Sequence, residues 1–230
     1  MNNRFYINDS FEESPTIDGS EFHHLVHVMR AQNGDEIELV NGHGVLASAR
    51  IETIKKKSAS LRILHREKQS KPSPSLISAI AILRMEKLDW AIEKATELGA
   101  DAITLFPAEH SEKKQLSENQ VERLRNISIA AMKQCGRLYL PAIAILPSLE
   151  RVLELGAMAL FGDTDPKAPM LEAIPDSSPI LFITGPEKGF STSEDELLKQ
   201  RAKGVRLHMN ILRAETAPIV ALSLLSRTLK

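Results

Sequence analysis

Residues 76–99 read LISAIAILRMEKLDWAIEKATELG, and a change of rhythm inside this stretch decides the fold class. Leu76–Leu83 is a nearly continuous apolar run, the pattern of a strand covered on both faces. From Met85 onward the apolar positions Leu88, Ala91, Ile92, Ala95 and Leu98 recur at helical spacing, and Gly99 stands where a C-terminal cap belongs. The same alternation continues downstream. Ala102–Phe106, Ala142–Leu146, Ala157–Phe161 and Ile180–Thr184 predict strands, whereas Glu118–Lys133, Ser193–Arg201 and Ala214–Leu229 predict helices. The expectation is an α/β domain with a mostly parallel sheet and helices on both faces.

Upstream the pattern differs. Lys68–Ser75, KQSKPSPS, places two prolines and three serines in eight residues, which neither a helix nor a central strand tolerates. It marks the expected boundary between a domain at 1–70 and another at 76–230, in keeping with a chain of 230 residues. In the first part Glu36–Val40, Val45–Ile51 and Ser60–Leu64 alternate, separated by Gly34, Asn41–Gly42 and Lys55–Lys57, which predicts a small β-barrel or meander. Glu21–Arg30, EFHHLVHVMR, interrupts it with Phe22, Leu25, Val26 and Met29 at helical spacing.

The net charge of −1 does not announce a nucleic-acid partner, but its distribution does more. Residues 1–49 carry two basic and eight acidic side chains, and residues 50–75 carry eight basic and two acidic. The second stretch, with Lys55, Lys56 and Lys57 at its centre, could follow a phosphate backbone or could be a solvated strand edge. A single cysteine, Cys135, forms no intramolecular disulfide and is expected to be a buried thiol. The N-terminal residues contain no apolar run of signal-peptide length, and no stretch approaches the roughly 20 apolar residues of a membrane span. A cytoplasmic protein with no membrane contact is expected.

Ligands of open α/β sheets bind beyond the carboxyl ends of the strands. Three segments fall there. Thr184–Ser191, TGPEKGFS, brings Gly185 and Gly189 for close backbone approach and Pro186 to fix the turn, without the spacing of a dinucleotide or P-loop fingerprint. Leu207–Ala217, LHMNILRAETA, leads into the last helix. There Glu215 and Thr216 suit a helix start, but a cation such as Arg213 does not. Gln134–Arg137, QCGR, closes a helix with Gly136 as cap. His23 and His27 lie one helical turn apart but lack a third ligand, so no metal is expected. Asp163, Asp165 and Asp176 read as polar loop.

These segments, in this order, resemble the RsmE family of 16S rRNA uridine-N3 methyltransferases, within the SPOUT superfamily. FHHLVHVMR with Gly34–Asp35 is similar to that family's PUA-like domain, and LDWAIEKATELG, KQCGR, TGPEKGFS and ILRAETA are similar to its successive methyltransferase motifs. The resemblance implies a PUA-like β-barrel followed by a methyltransferase domain with a C-terminal trefoil knot. It also implies S-adenosylmethionine as cofactor, a homodimer, and 16S rRNA of the small ribosomal subunit as partner. The cofactor would lie against Ile183, Thr184, Gly185, Pro186, Glu187 and Gly189 of one loop. Opposite would be Leu207, His208, Asn210, Ile211 and Leu212, with Thr216 and Ala217 behind them. Arg213 and Glu215 would lie near the reacting centre, the glutamate as base or water orienter. RNA would meet Arg30, Lys55, Lys56, Lys57 and Arg137, the last also a candidate for the cofactor carboxylate. The chain departs from the family pattern at Lys188, in place of a glycine, at Leu207-His208-Met209-Asn210, in place of Leu-Gly-x-Arg, and at Arg84, in place of the commoner lysine. Two other readings stand beside this one: a non-catalytic RNA-binding protein on the same fold, and a nucleotide-binding protein using TGPEKG as a phosphate loop.

Overall fold

The computed structural model of the chain describes residues 4–226 apart from 9, 12, 13, 72, 74 and 172–178. Asp176, both prolines of the expected linker and the last residues of the expected C-terminal helix lie outside the described residues. The chain divides into two compact units, 1–71 with 132–140, and 72–131 with 141–230.

The first unit contains β1 (Arg4–Tyr6), β2 (Thr16–Asp18), α1 (Gly19–His23), β3 (Glu36–Val40), β4 (Val45–Ile54) and β5 (Ser58–Lys68). The strands form one sheet in the order β1-β3-β4-β5-β2, with β1 parallel to β3 and the other pairs antiparallel. Alternation sends Ile37, Leu39, Ala47, Ala49, Ile51, Ala59 and Leu61 into one core, closed by Phe5, Phe11, Phe22 and Leu25. The expected helix at Glu21–Arg30 is corrected in kind. After α1 it widens into a π-helical turn, His24–Val28, in which Met29 N–H donates to the His24 carbonyl at 3.0 Å. The extra residue in the turn keeps Leu25 fully buried, with Val26 and Met29 packed against the same core, and Arg30 ends it at φ +53°.

The segment 132–140 belongs to this unit as well. Lys133 Nζ lies 2.5 Å from Glu21 Oε1, Gly44 N–H donates to the Leu138 carbonyl at 2.8 Å, and the Tyr139 hydroxyl donates to the Gln69 carbonyl at 2.7 Å. Cys135 is exposed here, against the expectation of a buried thiol. Its helix presents Met132 to the interior one turn earlier, which leaves the thiol on the solvent side donating only to the Met132 carbonyl.

The second unit contains, in order, β6 (Leu76–Ala81), α2 (Met85–Glu97), β7 (Ala102–Phe106), α3 (Glu118–Cys135, its last turn in the first unit), β8 (Ala142–Ile145) and α4 (Leu149–Leu153). β9 (Met158–Gly162), β10 (Ile180–Thr184), α5 (Thr192–Arg201), β11 (Lys203–Val205) and α6 (Thr216–Ser226) complete it. Six parallel strands run in the order β11-β9-β10-β6-β7-β8. Every residue of β10 is buried. Ile180 and Phe182 pack with α2, α3 and α6, while Leu181 and Ile183 pack on the other face with α4 and α5. That two-sided packing is why the strand reads as a continuous apolar run.

Gly99 caps α2 at φ +94°, and the Thr96 and Ser128 hydroxyls meet at 2.9 Å between α2 and α3, satisfying two buried polar groups on otherwise apolar stripes. After the edge strand β11 the chain returns to the middle of the sheet, where α6 packs on β6, β10 and α2. α6 carries no charge in its eleven residues.

Gly44 sits at φ +89°, and a Cβ there would collide with the Tyr139 hydroxyl and come within 2.8 Å of the Gln69 carbonyl. Gly44→Ala is therefore expected to destabilise the first unit by about 1–3 kcal/mol. Hydrogen exchange resolved by residue will show the loss in residues 42–45, 69 and 138–140 rather than in the parallel sheet.

Candidate active site

Three loops of the second unit converge beyond the carboxyl ends of β9 and β10 and enclose a cleft of about 590 Å³. Phe161 to Asp165 form one side, Thr184 to Ser191 the base, and Ile211 to Ala214 with Ala217 the other side. A second hollow of about 300 Å³, lined by Arg206 to Leu212, shares Ile211, Leu212 and Ala217 with it.

Local chemistry shapes each wall. Gly189, at φ +75°, donates its N–H to the Pro186 carbonyl at 2.9 Å and closes a tight turn. At Gly185 a Cβ would stand 3.0 Å from the Phe190 ring, so the backbone and the ring pack directly. Ser191 caps α5 in a reciprocal box: its hydroxyl accepts the Glu194 N–H at 3.2 Å, and its own N–H donates to Glu194 Oε2 at 3.0 Å. The second Glu194 oxygen accepts the Glu109 N–H at 2.8 Å, which joins the turn after β7 to the start of α5. His110 Nδ1 lies 3.1 Å from the Gly189 carbonyl, the acceptor of that pair. On the other wall Arg206 holds the segment in place, donating to the Pro166 carbonyl at 3.0 Å while its own carbonyl accepts the Leu171 N–H at 2.7 Å. Asn210 N–H donates to His208 Nδ1 at 3.1 Å, and Arg213 O accepts the first two N–H groups of α6.

Charge is unevenly placed. Asp163, Asp165 and Asp195 all line the cleft. Asp163 and Asp165 each accept a backbone N–H two residues ahead at 2.9 Å, so the expected polar loop is real and also forms a wall. Asp195 holds Lys199 at 2.6 Å, and that hydrogen bond raises the lysine above its ordinary range. Behind the opposite wall, Arg84 donates two hydrogen bonds to Glu112 at 2.8 and 2.6 Å. Those bonds, with the nearby charges of Lys188 and Lys87, hold the Glu112 carboxyl below the usual carboxylate range. Lys87 stands 3.6 Å from Glu187 and 3.3 Å from Glu215.

The expected residues separate into groups. Thr184, Gly185, Pro186, Glu187, Gly189, Ile211, Leu212 and Ala217 line the cleft, and Leu207, His208 and Asn210 line the adjoining hollow. Ile183 is buried in the sheet core on the α4/α5 side. Arg213 lines the cleft with its side chain 82% exposed, whereas Glu215 is tucked in at 13%. Lys55, Lys56 and Lys57 are exposed at the tip of the β4–β5 hairpin of the first unit, which also holds Arg30 and Arg137. Sequence reasoning passed over Phe161, Thr164, Phe190 and Lys87. The only signals for them were their positions at the end of a strand, in the loop after one, or in the first turn of a helix.

The model of the RNA methyltransferase domain matches residues 69–226, and that of the RNA methyltransferase PUA domain matches residues 17–64. Ribosomal RNA small subunit methyltransferase E of Bacillus subtilis is 30% identical, with 97% of this chain and 95% of the relative covered. The protein of the same name from Rickettsia conorii is 32% identical, with 96% and 93% covered. Among solved structures, ribosomal RNA small subunit methyltransferase E from Neisseria gonorrhoeae bound to S-adenosyl methionine superposes with a TM-score of 0.85 at 27% identity, covering 97% of this chain and 96% of that one. A methyltransferase from Legionella pneumophila with bound SAM gives 0.87 at 28%, with the same coverage.

Glu194 is the buried carboxylate on which the cleft-lining Ser191 and the turn after β7 meet. Glu194→Ala leaves the Ser191 and Glu109 N–H groups without their acceptor and is expected to cost about 1–3 kcal/mol. Glu194→Gln, which keeps one acceptor oxygen, should lose less in the same urea-unfolding series.

Proposed function

The chain belongs to the RNA methyltransferase family, and from that membership we propose that it methylates N3 of a uridine in 16S rRNA of the small ribosomal subunit. It is an enzyme, with S-adenosylmethionine as its methyl donor. Relatives matched over nearly the full chain are named as methyltransferases, which favours catalysis over RNA binding alone.

The observation that carries the reading is the cleft between TGPEKGFS and ILRAETA. Its volume falls within the range of roughly 300–1,000 Å³ usual for cofactor sites. Its lining suits the donor: Pro186, Phe190, Ile211 and Leu212 offer apolar surface to a purine, and backbone groups of the Thr184–Gly189 turn lie beside them. Asp163 and Asp165 offer negative charge to a molecule that carries a sulfonium and an ammonium. When bound, the cofactor supplies a methyl group on positively charged sulfur, electrophilic without further activation.

The protein's own residues then act on the base. N3 of uracil is a poor nucleophile while protonated, so its proton must pass to water or hydroxide from solvent and the charge must spread to O2 and O4. Arg213, an exposed guanidinium at the cleft, is suited to stabilise that charge as it develops. The remaining contribution is in-line placement, which the rigid cleft walls favour. The first unit carries the basic hairpin tip Lys55–Lys57, suited to phosphate contacts that position rather than specify. The uncharged α6 suits burial against a second copy in a homodimer, and the return of the chain from β11 to α6 is compatible with a C-terminal trefoil knot.

Calorimetric titration is expected to give binding with S-adenosylmethionine and none with ATP; the reverse would replace this reading with nucleotide binding. Changing Lys55, Lys56 and Lys57 together to Ala should weaken RNA binding and reduce its salt slope while leaving cofactor affinity unchanged. Arg213→Ala should lower kcat by on the order of 10²–10³ with little change in either KM, and Arg213→Lys should recover little. Normal melting with a near wild-type single-turnover rate would remove Arg213 from the chemistry.

A further inference from the structure

An alternating row of charge crosses behind the cleft. Arg84, immediately before α2, grips Glu112 through its guanidinium and donates its backbone N–H to Glu187 Oε1 at 3.3 Å. Lys87 Nζ approaches the same Glu187 oxygen at 3.6 Å and Glu215 Oε2 at 3.3 Å. Glu215 Oε1 in turn lies 4.0 Å from Arg213 Nη1. Glu187 comes from the loop after β10 and Glu215 from the segment entering α6, so one ammonium group links two different walls of the cleft.

We infer that Lys87 and Glu215 are positioning residues that hold Arg213 at the cleft, and that Glu215 is not the base that takes the N3 proton. Three observations carry this, given the methyltransferase reading above. First, a lysine in the opening turn of a helix opposes the helix dipole, so Lys87 is poorly placed to stabilise α2 itself. Second, Glu215 Oε2 is buried and makes no hydrogen bond among the described residues, so the ion pair with Lys87 is what fixes that end of the carboxylate. Third, of the Arg213–Glu215 pair only the guanidinium is open to solvent, at 82% against 13%; the carboxylate has one oxygen on Lys87 and the other toward Arg213. Glu215 itself does not line the cleft, whereas Arg213 does, so the carboxylate is placed to orient the guanidinium rather than to reach N3. Without Lys87, the partly buried Glu187 and Glu215 would share no cation, and Glu215 would lose the contact that sets its angle toward Arg213.

The test uses the full chain in single-turnover methylation at saturating cofactor, with calorimetry and thermal melts alongside. Lys87→Met should stay folded with a modestly lowered Tm and methylate more slowly by on the order of tenfold, with cofactor affinity moving less than the rate. If Lys87→Met unfolds, Lys87→Gln serves in its place. Lys87→Arg should recover most of the rate. In an Arg213→Ala background, Lys87→Met should cause no further loss. Loss of the N3 proton makes the rate rise with pH, and Glu215→Gln should slow the reaction yet keep that rise. In cofactor-free protein, the Arg213 Nε–H NMR signal should move toward that of a free arginine in Lys87→Met. A wild-type rate in Lys87→Met, multiplicative losses in the double variant, or disappearance of the pH-dependent rise in Glu215→Gln would overturn the inference. Absence of methyl transfer by the wild-type chain would instead overturn the proposed function.

Discussion

Strand β10 is buried along its whole length, and the rest of the second unit follows from covering it on both faces. Parallel neighbours on each edge satisfy its backbone, and Ile180 and Phe182 on one side and Leu181 and Ile183 on the other require helices above and below. Each such side chain contributes roughly 1.5–3 kcal/mol by leaving water, so the strand cannot shift register without a large loss. Its carboxyl end is thereby fixed. The loop that leaves it, TGPEKGFS, starts from an immobile point and forms the base of the cleft.

Rigidity at that base is extended by polar rather than apolar contacts. Glu194 turns one carboxylate toward both the start of α5 and the turn after β7, and His110 reaches the Gly189 carbonyl from the same turn. The opposite wall has no such buried brace among the described residues; it depends on Arg206 and on the ion pairs of Lys87. Apolar packing thus sets where the cleft lies, and charge pairing sets how its far wall is angled. A methyl transfer that needs in-line placement draws on both.

The departures from the family pattern noted at Lys188, His208 and Asn210 lie in the loop at the base of the cleft and along its adjoining hollow. Lys188 adds a cation beside Glu112, within the row of charge that Arg84 and Lys87 already form. Asn210 donates its backbone N–H to His208 Nδ1 at 3.1 Å, which closes a local turn. Met209 and Ile211, 75% and 80% exposed beside them, leave apolar surface on the same loop.

The sequence by itself determined the strand–helix alternation, because burial on two faces writes an apolar run and burial on one face writes a helical stripe. Motifs short enough to read locally, TGPEKGFS and ILRAETA, were legible for the same reason: their residues are neighbours in the chain. The π-helical turn after α1 was not legible, since its sequence has ordinary helical spacing and only the fit of Leu25 and Met29 to one core widens it. Nor was the exposure of Cys135, or the membership of residues 132–140 in the first unit, which depends on Gly44 meeting Tyr139 across some 95 positions. Lys87, Glu187 and Glu215 are the clearest case. No periodicity links them, and they meet because two loops and a helix start are brought to one end of a sheet. Ion pairs between distant segments leave no local pattern, so only the tertiary structure decides them.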